Sequence, residues 1–103
     1  MEPSSGNVFA DLGLANAEEK QTRVRLAIAI NEVTRSQQLS QAAAARRLDV
    51  NQPKISALRK YQFQGFSVER LMKFLTALDR DVEIMIHHNS RRRKGGRILV
   101  TAA

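Results

Sequence analysis

Asn51, Gln52, Lys54, Ser56 and Arg59 lie close together in the chain, and all five side chains can hydrogen-bond to base edges or phosphate oxygens. From Arg35 to Lys60 there are six cations and a single anion, Asp49. This chemistry suits recognition of a polyanion. No glycine-rich phosphate loop, metal-ligand spacing or nucleophile with a neighbouring base is present, so the sequence reads as a non-enzyme without metal or cofactor. His87 and His88 are adjacent, and on a strand they would point to opposite faces, which argues against a shared metal.

Two short helices joined by a tight turn would present these side chains together. Ser40 is placed to cap the first, Gln41 to Leu48, which is rich in alanine and high in intrinsic propensity. Ala45 is small enough for the second helix to approach closely. Asp49 tolerates the left-handed conformation a tight turn needs, and Val50 can tuck beneath both helices. The second helix runs from Gln52 to about Arg59 with Pro53 in its first turn. Ile55 and Leu58 supply its buried stripe, leaving the polar set outside.

Upstream, Leu26, Ile30 and Val33 recur at helical spacing in a long helix that Asn16 could cap, with Glu18 and Glu19 in its first turn. Downstream, Tyr61 to Phe66 reads as a loop. Ser67 caps a last helix with the stripe Val68, Leu71, Met72, Leu75 and Leu78. The period then changes to alternation in Val82-Glu83-Ile84-Met85-Ile86-His87, a strand pattern, and Ile98-Leu99-Val100 could close a hairpin on it. Met72 and Met85 read as core or interface filling. Val8, Phe9, Leu12 and Leu14 form a short apolar patch ahead of the first helix.

The whole chain of 103 residues has room for one domain, and its net charge of +7 fits nucleic acid, with solubility the plainer alternative. The run Arg91 to Lys94 could touch phosphates, touch a partner, or keep a loop soluble. Absence of cysteine fits a reducing compartment, and no signal peptide or bilayer-spanning run is read, so the expectation is a cytoplasmic protein with no membrane partner.

The segment from Leu39 to Ser56 resembles the helix-turn-helix of the Cro/XRE repressors. Val8 to Leu14, Phe66 to Met72 and Asp81 to Ile84 extend the resemblance, over roughly residues 8 to 86, to the HigA-like antitoxins of type II toxin–antitoxin systems. Three glycines usual in the family are replaced, by Gln38, Asp49 and Lys60. The resemblance implies that Gln41 grips a phosphate at its helix start and that Asn51, Gln52 and Ser56 face base edges or nearby phosphates. Lys54, Arg59 and Lys60 would mainly neutralise backbone.

The expected fold is mainly α: a four- to five-helix, lambda-repressor-like bundle with a short C-terminal β-strand or hairpin. Residues 1–14 form an arm, 15–80 the DNA-binding domain, and 81–103 the strand and basic tail. One reading helix covers about half of a typical operator, so a homodimer is expected, joined across Val82, Ile84 and Ile86. The implied function is repression at a double-stranded operator, by the antitoxin resemblance its own operon's, with neutralisation of a RelE-like toxin. Such toxins are basic, so binding one would rely on apolar contacts and on acids such as Asp11, Glu18 and Glu19. The rivals are a stand-alone or phage-type repressor, and an RNA-binding or protein-interaction module. RNA binders usually offer stacking aromatics, which the reading helix lacks.

Overall fold

The computed structural model describes residues 16–88 and 95–101. The arm over 1–14, with its apolar patch, and the run Arg91 to Lys94 lie outside the described residues. Within them the chain forms four helices: α1 (Asn16–Ser36), α2 (Gln41–Leu48), α3 (Gln52–Arg59) and α4 (Val68–Ala77). Helix α1 begins at Asn16 among the described residues. No helix among the described residues is long and apolar enough to cross a membrane.

One core gathers the helices. Helix α1 packs chiefly against α4, and α2 against α3. Leu26, Ala27 and Ile30 of α1 meet Ala44, Ala45, Leu48, Ile55, Leu58, Leu71, Phe74, Leu75 and Leu78. Ile30, Leu58, Leu71 and Leu78 are fully withdrawn from water, each contributing about 1.5–3 kcal/mol. The loop between α3 and α4 adds Phe63 and Phe66 to this core, a contribution that its reading as a mere connection did not include.

Each helix ends in the same way. One or two residues past each helix the chain enters the left-handed region, and the next amide donates to the carbonyl five residues back, satisfying a carbonyl the helix leaves open. The donors are Leu39 to Thr34, Val50 to Ala45, Gln62 to Ala57 and Arg80 to Leu75, all at 3.0 Å except Gln62 at 2.8 Å. The left-handed residues are Gln38, Asp49, Tyr61 and Asp79, none of them glycine. After α3 the left-handed residue is Tyr61, one position beyond Lys60, which sits at φ −94°.

The C-terminal hairpin does not form, and no strand is present among the described residues. A strand exists only where a neighbour completes its ladder, and these two segments go different ways. Val82 packs against the core, while Ile84, Met85 and Ile86 are 76%, 70% and 95% exposed. Val100 instead lies on α1, lining a shallow cavity of about 220 Å³ with Arg25, Ile28, Ala29 and Glu32. Its carbonyl accepts from Arg25 Nη1 at 3.4 Å.

Candidate nucleic-acid interface

Helices α2 and α3, with the turn at Asp49 and Val50, hold the residues singled out above. Ser40 caps α2 by accepting from the Ala43 amide at 3.1 Å, which fixes where Gln41 begins the helix. Asp49 takes φ 57°, ψ 48°, and Val50 then turns inward against the core. Ala45 is buried at the helix crossing. The turn therefore works without glycine, because a short polar side chain tolerates this backbone region.

Asn51 has a second task. Its Oδ1 accepts from the Lys54 amide at 3.1 Å, capping α3. The side chain stays exposed, so its carboxamide N–H groups still face outward. A residue at this position sets where the reading helix begins as well as what it offers.

At about 100° per residue, Pro53, Ser56, Ala57 and Lys60 lie opposite the buried Ile55 and Leu58. Gln52 and Arg59 fall on one flank, and Lys54 on the other. Gln52, Pro53 and Lys60 are exposed, and Ser56 and Ala57 are half-buried, as is Gln41 on α2. The middle of the outward face is thus small and partly apolar, a feature that attention to polar residues alone overlooked. Apolar groups of this kind contact thymine methyls in a major groove.

Two of the cations are engaged within the protein. Arg59 is half-buried and donates from Nη2 to the Leu39 carbonyl at 3.0 Å. Lys54 turns toward the α3–α4 loop, with Nζ 5.6 Å from the centre of the Phe66 ring. Lys60 is free at the surface. Of the two arginines on α2, Arg47 donates to the Ala77 carbonyl at 3.1 Å and pairs with Asp79 at 3.2 Å, while Arg46 stays exposed. That pair is the one salt bridge among the described residues. The positive charge of the α2–α3 face is therefore largely uncompensated among the described residues.

Residues 8–87 match a family model described as a helix-turn-helix domain. A solved structure provisionally named an XRE family transcriptional regulator is similar at 60% sequence identity, with a TM-score of 0.81. The similarity covers 86% of this chain and 100% of that one. Comparison with curated proteins gives no match.

Proposed function

The chain belongs to the helix-turn-helix domain family, in its XRE branch, and from that premise we propose that it represses transcription by sequence-specific binding to operator DNA. The observation that carries the reading is the outward face of α3. It offers Gln52 and Ser56 for base edges, Pro53 and Ala57 for methyl contact, and Lys60 for phosphate, with no carboxylate on the helix. Gln41 at the start of α2 and Asn51 at the start of α3 add amide donors beside it. Phosphate contacts position the head, and the few base contacts give discrimination.

The repressor acts as a homodimer, because one head reads only half a site. The exposed run Ile84–Met85–Ile86 supports a joint at this segment, with Val82 anchoring it to the body. A second copy would supply the hydrogen-bond partners the segment lacks among the described residues. The resemblance of residues 8–14, 66–72 and 81–84 to HigA-like antitoxins supports a narrower role: autoregulation of a toxin–antitoxin operon and capture of a RelE-like toxin. Co-purification with the product of a toxin-sized neighbouring reading frame tests that role, and its absence leaves a stand-alone repressor.

The central test is titration of the DNA upstream of the protein's own gene, at two salt concentrations, with Gln52→Ala and Lys54→Ala beside the wild type. Site-specific binding that loses discrimination with Gln52→Ala and weakens evenly with Lys54→Ala is the expected result. Sequence-blind binding, equally strong on RNA, would sink the reading.

A further inference from the structure

Three cations from three helices converge on one aromatic platform. Lys54 of α3 lies 5.6 Å from the Phe66 ring centre, and the Arg70 guanidinium of α4 lies 5.4 Å from the same centre. Arg70 is also 5.5 Å from the centre of Phe74. Arg23 of α1 donates from Nη1 to the Phe66 carbonyl at 3.5 Å, with its guanidinium 5.9 Å from the Phe63 ring. Phe66 and Phe74 meet edge to face, centroids 5.7 Å apart at 73°, and both are buried, so the platform is part of the core.

Gathering like charges is unfavourable, and ring faces offset it only in part. Among the described residues no carboxylate pairs with any of the three. The buried Arg23 Nε also has no acceptor among them. Among the described residues the cluster has no anion. Lys54 and Arg70 remain half-exposed, so one can reach them from solvent. Lys54 stands in the first turn of the reading helix, which puts the cluster directly beside the surface offered to the duplex.

We propose that Lys54 and Arg70, seated on Phe66, with Arg23 held at the Phe66 carbonyl, form a clamp for a DNA backbone phosphate flanking the reading helix. The inference rests on the operator-binding reading above and adds Arg70, Arg23 and the Phe66 platform to it. The ring fixes the direction of two flexible cations before DNA arrives, which lowers the ordering cost of the contact. The clamp contributes affinity and register, and carries no base preference of its own.

The test is a salt series of anisotropy titrations on the upstream DNA and on a random-sequence duplex. The variants are Arg70→Gln, Arg70→Lys, Phe66→Leu and Gln52→Ala, with thermal melts confirming that each is folded. Arg70→Gln should weaken binding to both duplexes by the same factor, about tenfold at 0.1 M salt, and flatten the salt slope by about one unit. Arg70→Lys should keep the slope. Phe66→Leu should weaken both duplexes alike, and Arg70→Gln should cost less in that background than in the wild type. Unchanged affinity and slope in folded Arg70→Gln, while Gln52→Ala still loses discrimination, would overturn the clamp and leave the repressor reading intact. So would Arg70→Lys failing as badly as Arg70→Gln, or inorganic phosphate binding at Arg70 with no effect of its substitution on DNA. A wild type that shows no preference for the upstream DNA would refute the repressor reading itself.

Discussion

Arg59, at the end of the reading helix, donates to the backbone carbonyl of Leu39, in the turn that precedes the motif. One bond thus ties the last turn of α3 to the point where α2 is launched. A cation in this setting both holds the motif's shape and adds to its positive field.

Arg59→Ala should therefore lower stability by about 1 kcal/mol and weaken DNA binding together. Lys60→Ala, at an exposed neighbour with no such bond, should weaken binding alone. Thermal melts beside DNA titrations check the contrast. In a domain of this size the Arg59 loss corresponds to about 4–8 °C in Tm. Equal melting temperatures for the two variants would remove the structural role from Arg59.

Asn51 allows its two tasks to be separated. Asn51→Asp keeps an acceptor for the Lys54 amide, and Asp is as good a cap as Asn, so the fold should hold. It replaces amide donors with a negative charge facing the duplex, and DNA affinity should fall severalfold. Asn51→Ala should lose both, with about 1 kcal/mol off the unfolding free energy. Urea denaturation and DNA titration on the same samples measure the two effects.

The left-handed residue after α1 is Gln38, at φ 57°. Gln38→Gly should stabilise the domain by about 0.5–1 kcal/mol, since glycine takes this conformation without the side-chain penalty. Gln38→Val should do the opposite, because a β-branched side chain suits φ > 0 least. The denaturant midpoint of each variant gives the answer, and a lower midpoint for the glycine variant would contradict the strain argument.

Ile84→Glu should halve the solution mass at micromolar concentration if the run at residues 84–86 joins two copies. Light scattering on wild type and variant decides it. A wild type already monomeric, or a variant still dimeric, would move the dimer joint elsewhere.

Much of this was legible from local pattern. Ala45, Asp49 and Val50 announced the turn because each position in a helix crossing demands a size or a backbone freedom that few residues supply. The stripes on α1 and α4 followed from spacing alone. The C-terminal alternation misled for a physical reason: it records a preference for extended backbone, whereas a strand also needs a partner, which one chain does not provide here. Lys54, Arg70 and Arg23 escaped as a group because they meet only through the fold. Arg23 and Phe66 are 43 positions apart, and no local period carries that contact.

The carboxyl ends of α3 and α4 are closed by side chains from other segments. Asn31 of α1 donates to the Leu58 carbonyl at 3.3 Å, Gln37 beyond α1 to the Leu78 carbonyl at 2.9 Å, and Arg47 of α2 to the Ala77 carbonyl at 3.1 Å. Neither of these two ends can fray without breaking a bond anchored on another segment. The amides of α1, α3 and α4 should then exchange with solvent as one unit, and a protease should find the domain either whole or open throughout.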